Sequence, residues 1–125
     1  MLPTIFWAGD STVKNNDLST YPQTGIAKGL EPFLAKGINV SNHAENGRST
    51  KSFIAELRLK AIDSQIKEGD YLFIQFGHND SKREDPLRFT QPFDEYQKNL
   101  IAMIKMATRK MAYPVLITPL SRCWF

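Results

Sequence analysis

The chain has 125 residues, 42% hydrophobic and 23% charged, with seven glycines and seven prolines, which suits one ordinary globular domain and excludes low complexity and disorder. Sixteen Lys and Arg against 13 Asp and Glu give a net charge of +3, with the basic residues scattered among acids, so no basic block marks a nucleic-acid partner. The single Cys123 excludes an internal disulfide framework and a cysteine-based metal cluster and is expected to be a structural thiol.

Ile5-Phe6-Trp7-Ala8 reads as a buried strand that ends abruptly in Gly9-Asp10-Ser11-Thr12. In an open parallel α/β sheet, ligands bind outside the carboxyl ends of the strands, which makes Ser11 the first candidate nucleophile. Taken alone, the stretch favours a Ser11 or Thr12 cap on a following helix. Val13 to Gly25 is rich in turn-forming residues and reads as a loop beside Ser11. Ile26, Leu30, Phe33 and Leu34 recur at helical spacing, opposed by Gly29 and Pro32, so a short or broken helix is expected, stopping at Gly37.

Ile38-Asn39-Val40 follows as a second strand, with the polar exit Ser41 to Thr50. From Ser52 to Lys67 the apolar residues Phe53, Ile54, Leu57, Ala61, Ile62 and Ile66 lie three or four apart, as in one amphipathic helix. Tyr71 to Phe76 is nearly all apolar, as a central parallel strand covered on both faces should be. Its exit is Gly77-His78-Asn79-Asp80. After a charged loop from Ser81 to Gln91, Pro92 suits the first turn of a helix, with Phe93, Tyr96, Leu100, Met103, Ile104, Ala107 and Met111 on one face. Pro114 to Thr118 is the fourth strand, and Pro119 begins its exit.

Strands alternating with helices argue for a parallel sheet with right-handed crossovers. The chain stops just after a strand, where such a fold normally places a helix, so a C-terminal truncation is expected. Neither a leader pattern nor an apolar run of about 18 residues is visible. As written, the chain reads as cytoplasmic and without a membrane partner; a secreted protein supplied without its leader would read the same.

Three strand exits should therefore share one edge of the sheet: Gly9-Asp10-Ser11, Asn46-Gly47-Arg48-Ser49 and Gly77-His78-Asn79-Asp80. Acyl transfer needs a nucleophile, a base and donors aimed at the developing oxyanion. Ser11 can supply the first, and the backbone amides of Ser11 and Gly47 with the Asn79 carboxamide can supply the donors. Individually, Gly47 and Asn79 are also ordinary turn residues. No Gly-x-Ser-x-Gly elbow and no phosphate-cradling glycine pattern is present, which counts against nucleotide binding.

Together the three blocks resemble the SGNH (GDSL-type) hydrolase superfamily, whose Ser, Gly and Asn match Ser11, Gly47 and Asn79. The stretches Asn46 to Ile54, Gly69 to Asp80 and Pro114 to Leu120 further resemble its rhamnogalacturonan acetylesterase group. That resemblance implies a flavodoxin-like, three-layer α/β/α sandwich around a parallel sheet. It implies a serine esterase that removes acetyl groups from pectic carbohydrate and uses no metal or other cofactor. Ser11 would be the nucleophile, the Ser11 and Gly47 amides and the Asn79 side chain the oxyanion hole, with Asp10, His78 and Asp80 in supporting roles.

Two departures stand out. Ile26 takes the place of a tryptophan usual after Thr24-Gly25, a change expected to weaken packing or sugar contact. The family's C-terminal Asp-x-x-His block, which holds the catalytic Asp and His, is absent from this sequence. His43 lies on the wrong strand exit to replace it, and His78 is expected to be structural or to face substrate. Residues 1–125 thus read as a partial SGNH domain, inactive by itself, with the fourth strand an exposed edge open to self-association. The rival readings are an SGNH esterase or thioesterase on small acyl esters and a non-catalytic carbohydrate-binding or interaction protein on the same scaffold.

Overall fold

The computed structural model describes residues 2–14 and 25–119. The expectations for the loop at 15–24, for Leu120 and for the thiol of Cys123 lie outside the described residues. Four strands form one parallel sheet: β1 (Thr4–Gly9), β2 (Asn39–Asn42), β3 (Tyr71–Gln75) and β4 (Tyr113–Leu116), in the order β2-β1-β3-β4. Phe6 of β1 pairs with Ser41 of β2 and with Leu72 of β3, and Leu72 pairs in turn with Pro114 of β4. Pro114 is tolerated because β4 is an edge strand of the described sheet, where a missing ladder donor costs least.

Alternation along the central strands builds two cores. Phe6, Ala8, Leu72, Ile74 and Phe76 face one side, where they meet Phe53, Ile62, Met103 and Ala107. Ile5 and Trp7, with Tyr71 and Phe73, face the other, against Val13, Ala27 and Ala44. A strand must be apolar on both faces to do this, hence the near-continuous apolar runs. The first side is covered by α2 (Thr50–Ala55), α3 (Arg58–Asp63) and α4 (Glu95–Arg109); the second by α1 (Ile26–Leu30), which passes into a 3-10 turn at Glu31–Phe33. The expected broken first helix is thus observed, but Phe33 is exposed rather than core-facing. No described helix is long and apolar enough to cross a membrane.

The single helix expected from Ser52 to Lys67 is instead two. Leu57 takes a left-handed conformation (φ 64°) between α2 and α3, and its side chain is exposed. The reason is angular. At about 100° per residue, an unbroken helix would set Ile62 roughly 180° away from Phe53, whereas both are fully buried in the same core. Turning the chain at Leu57 brings both to the sheet.

Two further expectations are corrected. Pro92 and Phe93 lie in a turn that precedes α4, closed by the Asp94 N–H on the Gln91 carbonyl (3.2 Å), and Phe93 is exposed. Met111 is not on the buried helical face. It sits past the helix end at φ 58°, where its N–H bonds the Thr108 carbonyl (3.0 Å) and the Ala112 N–H bonds that of Ala107 (2.9 Å), the Schellman pattern of a helix stop.

Candidate active site

The strand order places a topological switch between β1 and β3, since the chain leaves β1 for β2 on one side and β3 joins β1 on the other. Crevices at the carboxyl ends beside such a switch are the usual ligand sites of open α/β sheets. Ser11 follows β1 and His78-Asn79 follows β3, so they flank it. The exit of β2 joins them: the Glu45 N–H bonds the Gly9 carbonyl (3.3 Å), and Glu45 pairs with Lys14 (2.6 Å). That ion pair and the Asn46 N–H hold the Glu45 carboxyl below its usual range.

Around Ser11 the backbone is fixed at nearly every residue. A side chain on Gly9 would strike Val13 Cγ2 at 2.7 Å, so the strand can turn sharply only with glycine there. Asp10 is buried; its Oδ1 accepts the Thr12 N–H (3.0 Å), while its carbonyl accepts the Val13 and Lys14 N–H groups (both 3.0 Å). Thr12 Oγ1 lies 2.8 Å from Asp10 Oδ1 and 2.5 Å from Gln75 Oε1. The Asn42 amide bonds the Val13 carbonyl (3.0 Å). Ser11 itself is exposed, and among the described residues its hydroxyl has no hydrogen-bond partner. Residues 11–13 form a turn, and the next described helix, α1, starts after Gly25; the cap expectation turns on residues 15–24 and lies outside the described residues.

Gly47 and Asn79 are brought together. Gly47 has φ 74°, a conformation suited to glycine, in the turn that leads to the capping box of Ser49 and Ser52 at the start of α2. The buried Asn79 donates from Nδ2 to the Arg48 carbonyl (3.1 Å), the residue after Gly47. Its Oδ1 accepts from Arg88 Nη1 (3.0 Å). The same Nη1 lies 3.7 Å from the position a Gly47 Cβ would occupy, so one guanidinium touches both residues' surroundings.

Asp80 anchors this exit from beneath. Its carboxylate accepts the Thr50 N–H at the start of α2 (2.9 Å), the Thr50 hydroxyl (2.5 Å) and the Thr90 hydroxyl (2.7 Å). Burial pushes the Asp80 carboxyl above its ordinary value and the nearby Asp10 charge adds to this, against the opposing pull of the three hydrogen bonds. Tyr96, whose hydroxyl bonds the Phe76 carbonyl (2.8 Å), is likewise raised by burial and by the charges of Asp80 and Asp10. A cleft of about 250 Å³ opens beside the β3 exit against Gly77, Asp80, Thr90, Tyr96 and Pro119; Ser11, Gly47 and Asn79 do not line it.

His78 is half-buried, and its carbonyl accepts the Ser81 hydroxyl (2.7 Å). His43 is engaged elsewhere: Nε2 lies 2.9 Å from Ser41 Oγ, the ring stacks on Phe6, and burial followed by the Arg58 charge lowers its pKa. Among the described residues no group of three His, Cys, Asp or Glu side chains converges in a way that could hold a metal ion. The structure adds Arg88, Thr50, Thr90 and Gln75 to the site's framework. Only Gln75 left a trace in the sequence, as a polar residue at the end of an apolar strand.

The model of the GDSL-like lipase/acylhydrolase family matches residues 5–124. A Bacillus subtilis protein named "Probable rhamnogalacturonan acetylesterase YesY" is 44% identical over 94% of this chain and 54% of its own length. The rhamnogalacturonan acetylesterase RhgT of the same organism is 42% identical over 94% of this chain and 49% of its own. The crystal structure of Bacillus subtilis YxiM superposes with a TM-score of 0.85 at 31% identity, over 98% of this chain and 34% of that one. The chain thus spans about half the length of the curated relatives it matches. With the sheet order, the three converging strand exits and the family match in agreement, the chain belongs to the GDSL-like lipase/acylhydrolase family.

Proposed function

We propose that this chain carries the nucleophile and the oxyanion hole of a serine acetylesterase acting on acetylated pectic carbohydrate of the rhamnogalacturonan type. The observation that carries the reading is the exposed Ser11 at the switch point of a sheet whose neighbouring exits tie Asn79 to the Gly47-Arg48 turn. The substrate class is supported by the names of the relatives, two of which share more than 40% of the aligned residues.

In this mechanism Ser11 Oγ attacks the acetyl carbonyl carbon and the carbonyl oxygen becomes an oxyanion. The Ser11 and Gly47 backbone N–H groups and one N–H of Asn79 Nδ2 receive that charge. Collapse of the tetrahedral intermediate expels the sugar oxygen, which leaves with a proton, and water then releases acetate from the acyl-serine. Asp10 and Asp80 hold the two exits in place, and His78 sets the backbone before Asn79. A serine hydroxyl keeps its proton at neutral pH unless a base removes it. The sequence holds no Asp-x-x-His pair, so the base is assigned to residues outside these 125.

Two assays test this. The purified 125-residue chain should release no phenol from an aryl acetate in a Ser11-dependent way; a robust rate that Ser11→Ala abolishes would overturn the external base. The longest open reading frame containing this chain should release acetate from acetylated rhamnogalacturonan oligosaccharide and prefer it to a short acyl thioester. Preference for the thioester, or activity that survives Ser11→Ala, would overturn the substrate or the nucleophile respectively.

A further inference from the structure

A carboxamide can serve as an oxyanion donor only if its NH2 end, and not its carbonyl end, faces the substrate. Nothing in the amide's shape enforces that choice, because oxygen and nitrogen are nearly the same size, so the neighbours must. At Asn79 they do. An acceptor, the Arg48 carbonyl, stands on the Nδ2 side at 3.1 Å, and a charged donor, Arg88 Nη1, stands on the Oδ1 side at 3.0 Å. Turning the amide over would set NH2 against guanidinium and oxygen against carbonyl, losing both bonds. One N–H is used on Arg48, and among the described residues the other has no acceptor.

Arg88 is itself held. The Asp85 carboxylate takes Arg88 Nε at 2.6 Å with one oxygen and the Leu87 N–H at 3.0 Å with the other, which closes the turn on the guanidinium. Lys51 then ties that turn to α2 through the Pro86 carbonyl (2.7 Å). With Nε fixed, Nη1 has little freedom but to point at Asn79 Oδ1. A full positive charge bonded to Oδ1 also withdraws electron density from the amide, which makes the remaining N–H a stronger donor.

We propose that Arg88 is a positioning residue for Asn79: it fixes which way the carboxamide faces and polarises the second N–H of Nδ2, the one not spent on Arg48. The proposal rests on the acetylesterase reading only for what that N–H then binds; the Arg88–Asn79 coupling stands independently of it. Arg88 touches no reacting atom. Its effect on the reaction would run through Asn79 alone.

The test has two readouts on the 125-residue chain. In the first, the side-chain amide proton and nitrogen resonances of Asn79, identified by their loss in Asn79→Ala, are followed by NMR. In the native chain the two protons should be widely separated in shift and slow to exchange. In Arg88→Ala they should collapse toward the values of a free amide, in Arg88→Lys they should fall between, and guanidinium well below denaturing concentration should restore them in Arg88→Ala. Unchanged resonances in a folded Arg88→Ala chain would overturn the proposal. If Arg88→Ala fails to fold, Asp85→Asn, which keeps the guanidinium but frees its Nε, should still broaden or shift the pair, and no change there overturns it.

In the second readout an arylboronic acid is titrated against the chain. Boron accepts a lone pair from Ser11 Oγ, the hydroxyl proton passes to buffer, and the resulting tetrahedral boronate carries its negative charge where the oxyanion would lie. Binding should vanish in Ser11→Ala and weaken about tenfold or more in Arg88→Ala, with recovery on adding guanidinium. Equal boronate affinity in the native and Arg88→Ala chains would make Arg88 merely structural and overturn the proposal. If the 125-residue chain shows no Ser11-dependent binding, the titration is repeated on the longest open reading frame containing it, where the same absence would overturn the serine-site reading, while the NMR readout still decides the coupling.

Discussion

The Asp80 carboxylate accepts both the backbone N–H (2.9 Å) and the hydroxyl (2.5 Å) of Thr50, so the exit of β3 is bolted to the first residue of α2. Every partner of that carboxylate is a donor, the Thr90 hydroxyl included. Removing it in Asp80→Ala leaves a buried helix N–H and two hydroxyls without their acceptor, at a cost of about 2–4 kcal/mol. Asp80→Asn should cost less, since one oxygen remains to serve the hydroxyls. Urea denaturation of the three chains checks the order; equal stability of Asp80→Ala and the native chain would show that the bolt contributes nothing.

The same carboxylate gives a signed pH prediction. Because burial raises the Asp80 pKa above its ordinary 3.8, the folded state holds that proton more tightly than the unfolded chain does. The resulting stabilisation is fully present below the unfolded value and is lost as pH rises through the folded one. Lowered carboxyls such as Glu45 and Asp85 act in the opposite sense, but they are common to both chains and cancel in a difference. The native chain should therefore lose stability relative to Asp80→Asn as pH rises from the ordinary value of 3.8 through the raised folded one. A gap that moves the other way would mean that the hydrogen bonds to Asp80, not its burial, dominate.

Leu57 and Met111 sit in the left-handed region with exposed side chains. A non-glycine residue there bears roughly 1–2 kcal/mol of steric cost, partly offset on substitution because glycine adds entropy to the unfolded chain. Leu57→Gly and Met111→Gly should each stabilise by about 0.5–1 kcal/mol, and their effects should add because the sites lie on different helix ends. Thermal melts of the two single variants and the double check this. A loss of stability at Leu57 would show that its exposed side chain packs more than its exposure suggests.

These two residues also mark where the sequence stops being legible. The strands were readable because each central one must be apolar on both faces, so β3 announces itself in Tyr71 to Phe76. The edge of the sheet that holds Ser11, Gly47 and Asn79 followed from parallel topology alone. The break at Leu57 was not readable, because apolar spacings of three and four look helical locally while their sum carries Ile62 to the far side. Arg88 was hidden for a different reason. It lies in a charged loop whose composition reads as solvated, and its meaning comes from two bonds to residues that fold alone brings near, Asp85 by a tight turn and Asn79 across it.

Gly77 and Gly47 both have positive φ, but their surroundings differ. A Cβ on Gly77 would lie 2.7 Å from Pro119 Cγ, while the nearest atom to one on Gly47 is Arg88 Nη1 at 3.7 Å. Gly77→Ala combines strain with a clash and should destabilise by about 2–4 kcal/mol. Gly47→Ala meets space and should cost only the strain, about 1–2 kcal/mol. Its larger effect should fall on the site, because relaxing φ re-aims the Gly47 N–H. Urea midpoints and boronate affinity measured on both variants separate the two effects. Gly47→Ala that binds boronate as the native chain does would remove its amide from the oxyanion hole.

The outer side of β4 is the most exposed apolar strand of the described structure. β4 pairs only with β3 among the described strands, and Tyr113 and Leu116 on it are more than half exposed. Pro114 removes one outward donor, but an edge with apolar side chains and no lysine remains a template for pairing with another strand. The purified chain should therefore self-associate with rising concentration, by edge-to-edge pairing. Leu116→Lys should suppress this at little cost to folding, since surface changes are usually worth within about 0.5 kcal/mol. Leu87→Lys is the control: Leu87 is equally apolar and more exposed, at 76% against 53% for Leu116, but lies in the loop before α4. Sedimentation velocity on the three chains should show association in the native and Leu87→Lys chains and a monomer in Leu116→Lys. Suppression by both lysines would point to general hydrophobic contact, and suppression by neither would take the edge strand out of the association altogether.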